Sequence, residues 1–499
     1  MNTTINKLTP GMPLIYSGNK VAYISEELAT KYKAGDRIII VNSTGDILHI
    51  PLDEYNIAYD AVSKACSAFS LMGSVTTNSI TSFYHQFALN LADDTIWSAI
   101  SNANLADVAK AKSRSRSTTR LQVSDKMRTD MIAGLREWRN APSRRGHIIE
   151  TIQHEGWQVQ QVMAPLGVVG FVFEGRPNVF ADATGVLRGG NCVVFRIGSD
   201  ALETARAIMQ YALNPALEKA GLPEGAVTLL DSAAHSAGWA MFSDNRLGLA
   251  VARGSGKAVA QLGSVARQSG VAVSLHGTGG AWMLADETAD AEKFQLAVYH
   301  SLDRKVCNTL NVCCIHQSRP DLIESFLAAL RMAGDRRGFG YKLHIVSGDE
   351  CYIPVELLEK STKVRRANGD VKEKNAELLP EAELAREWEW EETPEVSLKI
   401  VNNMSDAIEL CNKYSPHFVV SVITEDHEAA QNYFDTLNAP FNGNGFTRWV
   451  DGQYALNRPE LGLSNWEEGR LFARGGILSG DGVFTVRLRV IQDDPEIHR

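Results

Sequence analysis

The residue of this chain with the clearest chemical potential is Cys307, in the stretch DRKVCNTL at residues 303–310. It stands just before a short apolar run that is typical of a buried strand. The thiolate is the reactive form of cysteine, and the neighbouring Arg304 and Lys305 favour that form electrostatically. The pattern indicates a nucleophile. The alternative is a small buried apolar residue, which most free cysteines are.

A second candidate is the glycine-rich turn RGSG at residues 253–256, between a predicted strand and a predicted helix. Glycines allow backbone amides to approach a phosphate, and the start of a helix attracts negative charge. Arg196 and Ser199 follow another predicted strand, at the sheet edge where such folds bind ligands. These residues predict a nucleotide site. The alternatives are a simple tight turn and a surface arginine.

Asn178 follows Pro177 at the start of a predicted helix. Acyl chemistry at a thiol passes through a tetrahedral oxyanion, to which a side-chain amide can donate a hydrogen bond. The alternative is a helix-capping asparagine. Both interpretations stay open from the residues alone.

The elements that must position these residues alternate between strands and helices. Five predicted strands and four predicted helices follow one another between residues 168 and 275, which favours a doubly wound, mostly parallel sheet. The strands are residues 168–173, 192–195, 227–230, 247–252 and 271–275, and the helices are 178–187, 201–220, 233–242 and 254–269. The second helix is expected to be bent or broken near Pro215.

Two further regions flank this sheet. Residues 36–41 and 46–50 surround the turn NSTG and predict a β-hairpin in a separate N-terminal segment. After residue 286 a second α/β unit begins, with strands near residues 310, 398 and 419. Within that unit, residues 363–374 (KVRRANGDVKEK) are expected to form an exposed insertion.

Composition excludes several classes of protein. The formal net charge of −9 over 499 residues argues against nucleic-acid and anionic-membrane partners. No apolar run reaches the roughly 18 residues that cross a bilayer, and the N-terminus is not typical of a secretion signal. The seven cysteines are scattered without a CxxC pair, which favours neither disulfides nor a metal site. We expect a cytoplasmic protein with reduced thiols.

Several motifs occur together in an order that resembles the γ-glutamyl phosphate reductases, which are the glutamate-5-semialdehyde dehydrogenases of proline synthesis within the aldehyde dehydrogenase superfamily. The resemblance extends over residues 55–490 and leaves the first 54 residues unexplained. Its motifs are PLGVVG (165–170), FEGRPNV (173–179), GNCVVFR (190–196), GLPEGAV (221–227), RGSG (253–256), VCNT (306–309), LKIV (398–401), DAI (406–408), ITED (423–426), TRWVDG (447–452), ELGLS (460–464) and ARG (473–475).

The resemblance implies a role for each candidate residue and an NADP cofactor, with NAD as the alternative. It makes Cys307 the nucleophile and Asn178 the oxyanion donor. The implied cofactor contacts are Arg196, Ser199, Arg253, Gly254, Ser255, Gly256 and Glu460, with Glu460 at the nicotinamide ribose. The implied substrate contacts are Arg176, Asn308 and Arg448.

The implied fold is aldehyde dehydrogenase-like, with a doubly wound Rossmann-type cofactor domain and an α/β catalytic domain. The predicted segments are a β-rich extension (1–54), the cofactor domain (55–284), the catalytic domain (285–450), and a return segment with an oligomerisation tail (451–499). Residues 148–162 and 483–491 are expected to form the arm of a homo-oligomer, since the tail alternates apolar and basic residues.

The implied reaction is reduction of an acyl phosphate to a semialdehyde through a Cys307 thioester. Hydrolytic aldehyde dehydrogenases carry a glutamate base in the stretch that corresponds to residues 274–280, and this chain has none there. Without that base, water is poorly activated to attack the thioester. The alternatives are a non-phosphorylating aldehyde dehydrogenase that uses His276 or an unrecognised base, and an inactive homologue that serves as a binding subunit.

Three departures from the family concern the substrate. Ala281-Trp282 replaces a Cys-His pair, residues 455–459 add Arg458 before Glu460, and FNGNGF (441–446) replaces small residues. A bulky tryptophan and an extra arginine would alter the shape and charge of the substrate site. We therefore expect a γ-glutamyl group or a modified, larger or carrier-linked acyl phosphate, with residues 1–54 as a candidate recognition segment.

Overall fold

The computed structural model describes residues 4–114, 118, 121–173, 175–366, 369–457, 460–466 and 475–498. The chain divides into two compact units. Unit 1 comprises residues 1–277, 458–463 and 477–499, and unit 2 comprises residues 278–457 and 464–476. The division after Gly277 lies seven residues before the predicted boundary at 284, and both chain ends belong to unit 1.

The N-terminal segment of unit 1 contains two hairpins. Its elements are β1 (Pro13–Tyr16), β2 (Lys20–Tyr23), α1 (Glu26–Lys31), β3 (Arg37–Ile40) and β4 (Ile47–Ile50). The predicted hairpin is confirmed, because Arg37 pairs with Ile50 and Ile40 with Ile47 in antiparallel register. Its turn ends at Gly45, whose φ of 81° lies in the left-handed region that favours glycine.

Four long helices follow the hairpins in unit 1. They are α2 (Leu52–Met72), α3 (Thr77–Ala92), α4 (Asp94–Ser113) and α5 (Asp125–Asn140). Three begin at a side-chain cap; Asp93, for example, accepts hydrogen bonds from the backbone of Thr95 and Ile96 at the start of α4. Their apolar faces pack into the core of unit 1.

The doubly wound sheet predicted from the sequence is confirmed. Its five strands pair in the order β11-β10-β7-β8-β9, and every pairing is parallel. The central strand β7 is buried along its whole length, as expected for a sheet covered on both faces. The elements of this region are β5 (Ile148–His154), β6 (Trp157–Pro165), β7 (Val168–Phe173), α6 (Val179–Ala183), β8 (Cys192–Ile197), α7 (Leu202–Ala207), α8 (Asn214–Ala220), β9 (Val227–Leu229), α9 (His235–Phe242), β10 (Leu247–Arg253), α10 (Gly256–Gln268) and β11 (Val273–His276).

The helix predicted at residues 201–220 is interrupted near Pro215, as expected. A π-helical turn at Ile208–Leu213 separates α7 from α8, and Pro215 lies in the first turn of α8. Proline is tolerated there because the first amides of a helix have no partner within it.

Unit 2 is built on a seven-stranded parallel sheet in the order β17-β14-β18-β13-β12-β19-β20. Helices α11, α12 and α14 pack against this sheet around an apolar core. The elements are β12 (Ala281–Ala285), α11 (Ala291–His300), β13 (Leu310–His316), α12 (Pro320–Asp335), β14 (Lys342–Val346), α13 (Glu356–Glu359), β15 (Ser361–Arg366), β16 (Gly369–Lys374), β17 (Ala376–Leu379), β18 (Glu395–Val401), α14 (Met404–Tyr414), β19 (Val419–Ile423), α15 (His427–Thr436), β20 (Phe441–Gly443) and α16 (Gly452–Leu456).

The insertion predicted to be exposed at residues 363–374 is exposed or part-exposed at every described position except Val364, and it is also tied to this sheet. It forms the β15–β16 hairpin, whose Arg366 binds Glu395 of β18 at 2.8 Å and whose Glu373 binds the buried Lys342 of β14 at 2.5 Å. Hydrogen bonds from Arg366 and Lys342 lower the pKa of Glu373 to about 2. Buried charges need such partners, and this is why the charged hairpin lies against the sheet.

The last strands return to unit 1. They are β21 (Glu460–Leu463), β22 (Ile477–Ser479) and β23 (Phe484–Gln492). β23 pairs with β6 along its whole length, and β6 pairs with β5, so the two segments predicted as an arm form one antiparallel sheet. Leu488 and Val490 of β23 are exposed, and the oligomer contact expected of this sheet stays a prediction.

Candidate functional site

Cys307 lies in the loop between α11 and β13, and its side chain is half-buried. Thr309 holds this loop in shape: its hydroxyl donates to the carbonyl of Arg304 at 2.6 Å and accepts from the amide of Val306 at 2.9 Å. The cysteine is therefore presented by a fixed turn at the start of a buried strand. Cys313 and Cys314 on that strand are fully buried, and burial raises the pKa of both thiols.

The cysteine loop rests on a second backbone segment, residues 279–281. The amide of Gly280 donates to the carbonyl of Cys307 at 2.7 Å, and the amide of Ala281 donates to that of Thr309 at 2.8 Å. The approach is so close that a Cβ on Gly279 would lie 2.7 Å from the Cα of Cys307. Residues 279–281 thus serve as a backbone support for the cysteine loop.

A carboxylate that the sequence analysis missed neutralises part of the basic pair. Glu387 binds Lys305 Nζ at 2.5 Å through one oxygen and accepts from the amide of Gly279 at 2.7 Å through the other. Lys305 is only 9% exposed, whereas Arg304 points into solvent. Lys305 consequently favours the Cys307 thiolate less than an unpaired ammonium would. Glu387 also joins its own segment to the segments of Lys305 and Gly279.

Asn311 fixes the segment that carries Glu387. Its side-chain amide donates to the carbonyl of Arg386 at 2.8 Å, and its oxygen accepts from the amide of Trp388 at 2.9 Å. The two hydrogen bonds bracket Glu387, so its carboxylate is positioned by a strand residue four places after the cysteine.

Asn308 and Arg448, predicted as substrate contacts, bind each other beside the cysteine. Asn308 is 3% exposed; its side-chain amide donates to the carbonyl of Val450 at 2.8 Å, and its oxygen accepts from Arg448. Arg448 also binds Asp303 at 2.5 Å. The structure brings both predicted residues together as a clamp on the loop, and their contact with substrate stays a prediction.

In unit 1 the candidate residues gather where parallel strands end. Arg176 follows β7, Arg196 lies near the end of β8, and Arg253 and His276 end β10 and β11. The chain runs from β7 outward to β9 and then returns on the other side of β7 to form β10, which makes β7 and β10 the switch point of the sheet. Ligands of doubly wound sheets bind at such a point.

The glycine-rich turn is partly committed to the protein itself. The amide of Gly254 donates to the carbonyl of His276 at 3.3 Å, so it holds β11 rather than pointing toward a ligand. Ser255 is the N-cap residue of α10 and Gly256 its first residue. Arg253 binds Glu460 at 3.1 Å, which joins two predicted cofactor contacts in one ion pair.

Arg196 is buried, so the alternative of a surface arginine is wrong. Its Nη2 donates to the carbonyl of Ala233 at 3.0 Å, while its buried Nε has no hydrogen-bond partner among the described residues. It lines a cleft between α9 and α10, together with Val172, His235, Gly238, Trp239, Ala258, Gln261 and Leu262. The predicted Ser199 lies three residues further on, half-buried, with its hydroxyl 3.4 Å from Asp200.

Asn178 lies at the N-terminal boundary of α6 but does not cap it with its side chain. Its amide instead donates to Asp182 at 3.4 Å, a long hydrogen bond at one turn's spacing. Asn178 therefore occupies the N-cap position, as that alternative predicts, but without a capping hydrogen bond from its side chain. The predicted oxyanion role stays a prediction.

The side chain of His276 is a poor candidate for a catalytic base. Burial and the nearby Arg253 and Arg176 lower its pKa to about 3, so the imidazole is neutral near pH 7 and binds a proton weakly. An effective general base has a pKa near the working pH. This finding disfavours His276 as the base of the non-phosphorylating alternative.

The lowered pKa of His276 predicts how the free energy of unfolding depends on pH. The unfolded chain binds a proton at His276 near pH 6.5 and the folded chain does not, so the free energy of unfolding falls as pH falls from 6.5 toward 3. Between pH 6.5 and 5 the loss is about 2 kcal/mol. We expect His276→Gln to remove this loss in urea titrations at pH 7 and pH 5, and an unchanged pH dependence would contradict the assignment.

Of the departures expected at the substrate site, the structure describes Trp282 but not Arg458. Trp282 is fully buried on β12 in the core of unit 2, so it fills the interior and does not reshape a solvent-open pocket. That expectation is wrong, because every position of this central strand faces packed elements. Arg458 and Pro459 lie outside the described residues, as do Glu174 and Arg474 of the family motifs.

Two general findings concern the described part of the chain. No three or more His, Cys, Asp or Glu side chains gather there as a metal ion would require. No helix in these ranges is long and apolar enough to cross a membrane.

Comparisons with known proteins agree with this architecture. The model of the aldehyde dehydrogenase family matches residues 47–342. A γ-glutamyl phosphate reductase from Clostridium tetani is 28% identical over 423 residues, 83% of this chain and 92% of the relative. One from Syntrophomonas wolfei is 28% identical over 367 residues, 71% of this chain and 78% of the relative.

Solved structures show the same fold. The crystal structure of γ-glutamyl phosphate reductase from Thermotoga maritima superposes with a TM-score of 0.75 at 23% identity, covering 89% of this chain and all of that one. An acetylating aldehyde dehydrogenase from Geobacillus thermoglucosidasius has a TM-score of 0.59 at 15% identity, covering 90% of this chain and 99% of the other. The predicted fold class is confirmed.

Proposed function

Because this chain belongs to the aldehyde dehydrogenase family, we propose that it is an enzyme that reduces an acyl phosphate to a semialdehyde through a thioester on Cys307. The observation that carries the proposal is the half-buried Cys307, in a loop held by Thr309 and supported by Gly280. The relatives named γ-glutamyl phosphate reductase support γ-glutamyl phosphate, or a closely related acyl phosphate, as the substrate.

The proposed chemistry begins at the sulfur of Cys307. The thiolate attacks the acyl carbon, a carbon–sulfur bond forms, and the bond from that carbon to the phosphate oxygen breaks. Inorganic phosphate leaves with the bonding electrons, and the acyl group stays on sulfur as a thioester. A bound nicotinamide cofactor supplies the hydride for reduction to the aldehyde. Release of the aldehyde breaks the carbon–sulfur bond and returns the thiolate.

Two features support phosphate rather than water as the partner of the thioester. Residues 274–280 contain no carboxylate, and His276, with a pKa of about 3, is a weak base. Water attack therefore lacks assistance. Glu387 is a carboxylate beside the cysteine loop, but its two oxygens already bind Lys305 and Gly279, and the nearby Asp303 is paired with Arg448.

The residues of unit 1 fit a nicotinamide cofactor, which the fold of the family implies. The unpartnered Nε of Arg196 is a donor at the α9–α10 cleft, and a guanidinium suits the phosphate on the ribose of NADP. We therefore propose NADP over NAD. Arg196, Ser199, Arg253, Ser255, Gly256 and Glu460 would hold it, whereas the amide of Gly254 already binds His276.

The first test is aldehyde oxidation with and without inorganic phosphate. We expect glutamate-5-semialdehyde to reduce NADP in a strictly phosphate-dependent reaction, with NAD reduced more slowly, as measured by absorbance of the reduced cofactor. Phosphate is required because it must attack the thioester in this direction. Phosphate-independent oxidation would indicate the non-phosphorylating alternative. Absence of any reaction and of cofactor binding would indicate the inactive homologue.

A further inference from the structure

The N-terminal hairpins contact one face of helix α10. The side chain of Gln268 binds the end of β3 twice, because its oxygen accepts from the amide of Asn42 at 3.1 Å and its amide donates to the carbonyl of Ile40 at 2.8 Å. Hydrogen bonds between the side chain of Gln268 and the backbone of the hairpin thus join the hairpin to the last turn of α10.

Two more contacts continue along the same face toward the start of the helix. The hydroxyls of Ser264 and Ser43 lie 3.5 Å apart, and Gln261 donates to Asp46 at 3.2 Å. Residues three and four apart lie on one side of a helix, so Gln261, Ser264 and Gln268 form a continuous contact stripe.

The turn that makes these contacts is itself supported by the first hairpin. Ser17 donates to the carbonyl of Asn42 at 2.7 Å, and the Tyr16 hydroxyl packs on Gly45 where a Cβ would overlap it. Behind the turn, Leu48 and Ile50 are buried in the core of unit 1. These residues are therefore an integral part of unit 1, not a loosely attached arm.

One residue of the stripe has two roles. Gln261 binds Asp46 and also lines the α9–α10 cleft that contains Arg196. We infer that residues 13–50 are a cofactor-affinity element, which strengthens the binding of NADP. Asp46 of this element and Gln268 of α10 act as positioning residues, because their contacts hold α10 and Gln261 in place for NADP. This inference rests on the proposed cofactor site, and it replaces the expectation that residues 1–54 recognise the substrate.

The test compares cofactor binding in variants of the stripe. We expect Gln268→Ala and Asp46→Ala each to raise the Kd of NADP about fivefold, measured by fluorescence titration at 25 °C, because each loses contacts of ordinary hydrogen-bond strength. Asp46→Asn keeps an acceptor for Gln261 and should restore the original Kd. The exposed Gln122→Ala, elsewhere in unit 1, is the matched control and should bind normally.

Steady-state kinetics adds a readout that general loss of structure would not produce. The KM of the cofactor should rise in the two alanine variants, while kcat and the KM of the aldehyde stay within twofold. An unchanged Kd in both variants, or a rise confined to the KM of the aldehyde, would overturn the inference. The titration needs no turnover, so it decides the inference even if glutamate-5-semialdehyde is not a substrate.

Discussion

Replacing Cys307 with alanine is expected to reduce phosphate-dependent oxidation of the aldehyde about a thousandfold or more, while the Kd of NADP stays unchanged. The thioester cannot form without the sulfur, and loss of a nucleophile removes most of the catalysed rate. Rates are measured by absorbance of the reduced cofactor at saturating phosphate. The variant should fold normally, because the loop is held by backbone contacts and by Thr309.

The control for this variant is Cys351→Ala, which removes an exposed thiol from the same unit. It should keep the full rate. A thiol-alkylating reagent should inactivate this control as fast as the unmodified enzyme, and a bound cofactor should not be needed for that reaction. Activity of Cys307→Ala within tenfold of the unmodified enzyme would refute the covalent mechanism.

Gly279→Ala is expected to lower kcat by about a hundredfold, although it alters no residue that reacts. The added methyl group would lie 2.7 Å from both the Cα and the carbonyl oxygen of Cys307 and 2.8 Å from Glu387. Backbone atoms must then move, and a displacement near 1 Å at a reacting group costs about this factor in rate. The same overpacking should lower the free energy of unfolding by about 1–3 kcal/mol.

Gly73→Ala, in unit 1, provides the comparison, since a Cβ there meets nothing within 4 Å and the φ of −55° suits any residue. We expect its kcat and its Tm to match those of the unmodified enzyme. If Gly279→Ala keeps kcat within twofold while its Tm falls, the backbone support stabilises unit 2 without positioning the nucleophile, and this account of the loop is wrong.

The five strands of the sheet in unit 1 were predictable because each is a short apolar run bounded by turn residues. In unit 2 only three of the seven strands were predicted, those near residues 310, 398 and 419. β7 begins and ends at the predicted residues, 168 and 173, since its environment is apolar on both faces. The position of Cys307 ahead of a buried strand was also predictable, because its signal is local: a cysteine beside basic residues and before a short apolar run. Such patterns need no knowledge of distant partners.

The side chains that bind the loop around Cys307 were not predictable from the sequence. Glu387 lies 82 residues after Lys305, in a charged stretch where any glutamate is equally plausible from sequence. Asn308 and Arg448 are 140 residues apart, and the family motifs identify both without indicating that they bind each other. Pairing across such separations depends on the order of strands in the sheet, which periodicity does not specify.

Along the chain, most of unit 2 lies between segments of unit 1, and this order has a consequence for biosynthesis. β23 completes unit 1 by pairing with β6, so Phe484 meets Pro165 and the ribosome must translate more than 300 residues between the two strands. The main segment of unit 2 is the continuous stretch 278–457, so unit 2 can fold before β23, the partner strand of β6, has been synthesised. An unpaired strand edge is prone to wrong pairing with another chain. During synthesis this enzyme is therefore most exposed to aggregation through β6, and the risk ends only when the last strand emerges.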